Sequence, residues 1–321
     1  LLPVLWLGVV SRRQKILFTA LCISVICACY GYGIARLQTP MAYTETLLRV
    51  VQPNIAQSIK GSKQGQQVAI ETLARLSTQP SARVPDVTIW PETAYPFTVR
   101  IAENQSLPSV KRLITGAVRA EGRGPSIQLW NSIIGLNTDG DVLTSYDKHQ
   151  LVPFGEFVPL RSVLPLDKIT PGAIDFSRGD GPHTMRIDGL PPFSPLVCYE
   201  GIFPSMAIDT ANRPEWLLNL TNDGWYGDTA GPYQHLAMVR MRAIEQGLPM
   251  VRAANSGVSA VYDSYGRVAG ALSLNQTGVM DVYLPASIAA PLYATYGSLA
   301  LLCVMLLGFM VFYFVHRPQQ T

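Results

Sequence analysis

One thiol stands apart in the middle of this sequence. Of the five cysteines, Cys22, Cys27, Cys29 and Cys303 fall in apolar runs near the two ends, leaving Cys198 between residues 46 and 286. Such a cysteine is either an inert part of a core or a nucleophile. A thiol with an ordinary pKa of about 8.5 is only slightly ionised at neutral pH, so a nucleophilic cysteine needs a base or a cationic neighbour. Two other segments end as the cysteine's own segment does. Asp86-Val-Thr-Ile-Trp-Pro-Glu92 is a β-rich run finishing in a carboxylate, Asp141-Val-Leu-Thr-Ser-Tyr-Asp-Lys148 finishes in an amine, and Pro195-Leu-Val-Cys198 finishes in the thiol. Glu92 can take the proton. Lys148 can favour the thiolate and, with a backbone N–H beyond Cys198, stabilise the oxyanion formed when sulfur adds to a carbonyl. The product is a thioester, resolved by an amine or by water.

A cysteine–histidine pair is the rival arrangement, and the region offers His149, His183 and His235. Successive strand residues point to opposite faces, so His149 turns away if Lys148 faces a pocket. The spacing calls for no metal and no other cofactor: one cysteine without HExxH or CxxC leaves no zinc set. A net charge of +3, scattered along the chain, gives no footprint for nucleic acid.

The elements that would carry these residues alternate. Short β-rich runs at 47–52, 86–90, 113–119, 130–137, 195–199, 216–221, 250–255 and 258–263 are interleaved with helical stretches at 65–77, 203–212 and 232–246, an α/β pattern. In such folds ligands gather beyond the carboxyl ends of strands, which is where Glu92, Lys148 and Cys198 would meet. The Pro- and Gly-rich segment 153–195 reads as a long excursion of loops.

The two ends have a different character. A hydrophobic share of 48% and a charged share of 15% point to lipid for part of the chain. Residues 16–35 and 292–315 are uncharged and mostly apolar, about 20 and about 24 positions, each enough as a helix for a hydrocarbon layer of roughly 30 Å. The run LLPVLWLGVV before them reads as the tail of an earlier span, so the chain is expected to be the C-terminal portion of a longer multi-pass protein. Arg12, Arg13 and Lys15 before one span and Arg317 after the other place both flanks in the cytoplasm. The expected divisions are a membrane segment at 1–45 with a loop at 11–15, a catalytic domain at 46–286, and a second transmembrane helix with its tail at 287–321.

Four motifs go further. WPETAYPF (90–97), YDKHQLVPFGEFVPLR (146–161), VCYEGIFP (197–204) and LTNDGWYGDTAGPYQHLAMVRMRAIEQGLPMVRAANSGVSA (220–260) resemble the nitrilase, or carbon-nitrogen hydrolase, superfamily, and within it the apolipoprotein N-acyltransferase family. The resemblance implies a nitrilase-like α-β-β-α sandwich flanked by transmembrane helices, in a bacterial inner membrane with the catalytic domain on the periplasmic side. It implies Glu92 as base, Lys148 as oxyanion partner and Cys198 as acyl carrier. The implied reaction moves an acyl chain from a membrane phospholipid to the cysteine, then to the N-terminal amine of a diacylglyceryl apolipoprotein. A membrane-tethered amidase, in which water hydrolyses the thioester, is the alternative that the triad alone does not separate. By the same resemblance Glu156, Tyr199 and Glu200 support the site, and Asn222, Asp223 and Trp225 wall it. A loop carboxylate, a core aromatic, a helix-terminal charge and an Asn-Asp-Gly turn are the plainer explanations of these residues. One departure stands out: where the family carries a tryptophan in a context like S-x-K-W, here Ser58-Ile-Lys60 is followed by Gly61, which bears on a lid over the acyl chain.

Overall fold

The computed structural model describes residues 11–59, 62–101, 110–159 and 174–315. The run 1–10, the Lys60-Gly61 departure with its lid, Arg161 and Arg317 lie outside them. The chain separates into two compact units, Ala42–Ala289 and the two ends, Leu1–Met41 with Ala290–Thr321.

In the terminal unit, helix α1 runs Arg12–Leu37. It absorbs the loop expected at 11–15, because Arg, Gln and Lys are good helix formers and nothing there interrupts the backbone ladder; Lys15 N already donates to Ser11 O at 3.1 Å. Within it, Thr19–Leu37 is long and apolar enough to cross a membrane, and it is the one such helix among the described residues. The run 292–315 is not a single helix. A short α4 (Leu292–Tyr296) stops at Gly297, whose φ of +54° ends the right-handed spiral, and α5 resumes over Leu299–Val315.

The larger unit is built from two sheets. The first contains β1 (Tyr43–Gln52), β2 (Val87–Ile89), β3 (Leu113–Glu121), β4 (Gln128–Leu136), β5 (Val142–Asp147) and β11 (Gly278–Pro285), in the order β11-β1-β2-β3-β4-β5. The second contains β6 (Phe193–Val197), β7 (Trp216–Thr221), β8 (Met250–Ala254), β9 (Ser259–Tyr262) and β10 (Val268–Leu272), in the order β10-β9-β8-β7-β6. The central strands β1-β2-β3 and β6-β7-β8 are parallel, and the flanking strands are antiparallel.

Apolar runs without alternation explain the layering, since a strand covered on both faces has no polar side. In β1, Leu48 and Val50 face the second sheet, where Val197, Leu218, Leu220 and Val251 meet them. Val51 turns the other way, against Leu73 and Leu76 of α2 (Lys63–Ser77). On the far side, Val239 and Ala243 of α3 (Gly231–Gln246) cover Leu196, Leu217 and Met250. The result is a nitrilase-like α-β-β-α sandwich.

A further expectation is corrected, and two strands are added. Residues 203–212 form no α-helix; only Pro204–Met206 is a 3₁₀ turn, and the Asp209 carboxylate bonds to the Ala211 amide and the Asn212 side chain, a local turn that competes with helix. Strands β10 and β11 were not among the candidates because Gly270 and Asp281 interrupt their apolar runs, yet Asp281 is matched by Arg49 of β1 at 2.7 Å. Tyr43 pairs with Pro285, within the compact unit Ala42–Ala289.

Candidate active site

Glu92, Lys148 and Cys198 follow the carboxyl ends of β2, β5 and β6. Lys148 and Cys198 come directly after their strands; Glu92 comes after Trp90-Pro91. Between the first two stands Asn131 of β4. Its Nδ2 donates to Glu92 Oε1 at 2.8 Å and to Glu156 Oε1 at 2.9 Å, while its carbonyl accepts the Lys148 amide at 2.8 Å. Glu92 Oε2 accepts the Asn222 amide at 2.9 Å. Among the described residues both partners of Glu92 are N–H donors.

Lys148 is 1% exposed, and its Nζ lies 2.8 Å from Glu156 Oε2 and 2.9 Å from Oε1. Burial alone would push its pKa down. Glu156, then the Cys198 sulfur and Glu92, more than reverse this, so the ammonium is held above the ordinary lysine value. Glu156 is thus no plain loop carboxylate: it also accepts the Val152 amide at 2.8 Å.

Cys198 has a φ of +50°, a left-handed conformation that costs about 1–3 kcal/mol in a residue with a side chain. Part of the residue remains accessible, but its thiol is pushed up to about 12. Desolvation is the largest cause and the Glu92 charge the next; Lys148 and a hydrogen bond with Thr221 oppose them without prevailing. Burial and the Glu92 charge thus favour the thiol over the thiolate, against the pull of Lys148.

Glu200 is 1% exposed and clasps two strand ends. Its Oε2 accepts the Val197 amide at 2.8 Å, and Oε1 accepts the Tyr146 hydroxyl and the amides of His149 and Gln150 at 2.7–3.0 Å. Burial pushes its carboxyl up, and these bonds offset that only in part. It ties the Lys148 strand to the Cys198 strand. The Tyr199 ring packs edge-on against Phe203 at 5.0 Å.

A cavity of about 370 Å³ opens beside the cluster, lined by Glu92, Asn131, Glu156, Tyr95, Phe97 and Trp225 among others. Asn222 lines it as well. Asp223 does not wall it; it is 2% exposed and turned toward Arg252 and His235. Among the described residues no histidine nitrogen bonds to the Cys198 thiol. His149 Nδ1 is engaged by Gly179 O at 2.9 Å, His183 lies against Tyr146, and His235 Nε2 meets the Cys198 backbone carbonyl at 3.2 Å.

Residues 47–291 match the carbon-nitrogen hydrolase family. The chain belongs to it. Curated relatives named apolipoprotein N-acyltransferase include that of Rhodopseudomonas palustris, 40% identical over 97% of this chain and 62% of the relative, and that of Bradyrhizobium diazoefficiens, 42% identical over 78% of this chain and 50% of the relative. The chain thus spans between one half and two thirds of the length of each. Among solved structures, an amidase from Nesterenkonia sp. superposes with a TM-score of 0.53 at 19% identity, covering 82% of this chain and 97% of that one.

Sequence reasoning missed Asn131, Asn219, Thr221 and Arg252 as buried neighbours of these side chains, and weighed His235 only as a rival base. A signal was present. Asn131, Asn219 and Arg252 each interrupt an otherwise apolar strand that is buried on both sides, and a buried polar group needs a partner.

Proposed function

We propose that Cys198 carries an acyl chain taken from a membrane phospholipid and delivers it to the N-terminal amine of a diacylglyceryl apolipoprotein. The observation that carries this reading is the pairing, at the strand ends around Cys198, of a Glu92 held by Asn131 and the Asn222 amide with a buried, Glu156-anchored Lys148. The likeness to acyltransferases over nearly the whole chain, apolar ends included, supports the choice of substrates.

Glu92 takes the thiol proton as Sγ bonds to the ester carbonyl carbon, and Lys148 faces the charge that grows on the carbonyl oxygen. Collapse breaks the carbon–oxygen bond, and Glu92 returns its proton to the departing alcohol. The amine then attacks the thioester, Glu92 takes one of its protons, and the thiol re-forms as the amide appears. The resting pKa suits this sequence, because a sulfur that stays protonated until the carbonyl arrives resists oxidation and stray electrophiles.

Both substrates keep their acyl chains in lipid, since each buried CH₂ favours hydrocarbon by about 0.8 kcal/mol. Helices α1 and α5 are read as spans that hold the domain at the bilayer surface, with Arg12, Arg13 and Lys15 on the cytoplasmic side and residues 42–289 on the periplasmic side of an inner membrane. Proximity then replaces extraction of the lipid.

The test is complementation of an acyltransferase-depleted strain by the full-length protein with and without Cys198→Ala, alongside mass spectrometry of the protein incubated with phospholipid. Growth, triacylated lipoprotein and an acyl adduct on Cys198 are expected. An intact thiol after incubation, with release of free ammonia from amides instead, would favour the amidase.

A further inference from the structure

Around the Cys198 backbone carbonyl lies a second buried polar cluster to which the reaction above assigns no role. Its hub is Arg252 of β8, fully buried. The guanidinium donates Nη2 to Asp223 Oδ2 at 2.6 Å, Nη1 to Asn219 Oδ1, and Nε to Val258 O at 3.3 Å. Asp223 Oδ1 in turn lies 3.0 Å from His235 Nδ1. Asn219, Asp223 and His235 are each at most 3% exposed. Burying so much polarity is costly unless every group is matched and the arrangement is held in one geometry.

Both arms of the cluster end on one atom. Asn219 Nδ2 donates to the Cys198 carbonyl oxygen at 3.1 Å, and His235 Nε2 faces the same oxygen at 3.2 Å. A carbonyl oxygen only accepts, so Nε2 donates to it, and in that tautomer Nδ1 accepts from Arg252 Nη2, 3.2 Å away. Two donors organised by one guanidinium therefore fix the carbonyl of the residue that holds a strained φ of +50°.

The peptide that contains this carbonyl is planar and trans, so its N–H, which belongs to Tyr199, points opposite to the oxygen. Fixing the oxygen toward Asn219 and His235 therefore fixes the Tyr199 N–H in the opposite direction. We propose that the Arg252–Asp223–His235 and Arg252–Asn219 arms are positioning residues for the oxyanion: they act through the Cys198 carbonyl to hold the Tyr199 N–H on the negative oxygen of the tetrahedral adduct. The inference rests on Cys198 being the nucleophile, as proposed above, and not on the identity of the acyl donor or acceptor.

The experiment compares two reactions of the same sulfur in the full-length chain. Acylation by p-nitrophenyl butyrate passes through an oxyanion; alkylation by iodoacetamide does not. For His235→Leu the nitrophenol burst rate is expected to fall by about tenfold to a hundredfold, less than the ~10²–10³ that removing an oxyanion donor itself costs, while alkylation stays within about threefold of the parent. His235→Gln, whose amide N–H still reaches the carbonyl, recovers most of the burst rate. The proposal is overturned if His235→Leu leaves the burst unchanged, if alkylation falls in parallel, as it would for simple loss of folding, or if the parent shows no burst. A protein that gives the burst but takes no acyl chain from phospholipid vesicles refutes the assigned substrate and leaves the positioning role intact.

Discussion

Glu92 acts on the Cys198 thiol in two opposed ways. As a base it removes the proton, and as a nearby negative charge it raises the thiol. Glu92→Gln is therefore expected to slow acylation by about 10²–10⁴ yet to accelerate iodoacetamide alkylation at pH 8, because an acid beside a lost negative charge ionises at lower pH. In the parent, alkylation climbs with pH toward about 12; a plateau near pH 9 would contradict the buried environment described. At Lys148 the prediction concerns stability. Lys148→Met strands the buried Glu156 carboxylate and is expected to cost about 3–5 kcal/mol in denaturant unfolding, whereas Lys148→Met combined with Glu156→Leu recovers most of it and still gives no acylation. The three residues at strand ends were legible because strand-ending Pro91 and the shift from β-rich to turn residues mark where a sheet stops. The sulfur's charge state was not: it depends on how much of Lys148 is matched by Glu156, and that distance is set by the 148–156 loop, not by any spacing.

At the scale of elements, the placement of Glu92 depends on a close approach between strand β3 and the turn after β2. Gly116 N donates to Pro91 O and Gly116 O accepts from Tyr95 N, both at 3.1 Å, and a Cβ at residue 116 would stand 2.5 Å from Glu92 Cα. Gly116→Ala is accordingly expected to destabilise by about 1–3 kcal/mol and, unlike a remote core change of equal cost, to abolish Cys198 acylation by pushing Glu92 out of register with Asn131. Thermal unfolding beside the ester burst tests both halves. The sandwich was readable from its continuous apolar strands, and the central β7 was bounded at 216–221 as found. Strand β11 was not, because Asp281 breaks its run and only the buried Arg49 opposite explains the charge. The helix expected at 203–212 failed for a local reason, the Asp209 turn.

For the whole molecule, the division into two units leads to a separable prediction. Residues 42–289 contain both sheets, all the side chains around Cys198 and the helices that cover them. Expressed alone, this portion is expected to give the same nitrophenol burst as the full chain and to lose acylation by phospholipid in vesicles, since only the latter needs the apolar ends; equal rates on vesicles would remove the case for tethering. The way the chain enters and leaves this portion has its own effect. Its first and last strands are neighbours, with Tyr43 opposite Pro285, so the backbone departs within one strand spacing, about 5 Å, of where it arrived. To the segments on either side, the whole two-sheet sandwich is topologically no more than a turn. A short peptide joining 285 to 43, with fresh termini opened in a distant surface loop, should yield a permuted catalyst that folds around the same two sheets.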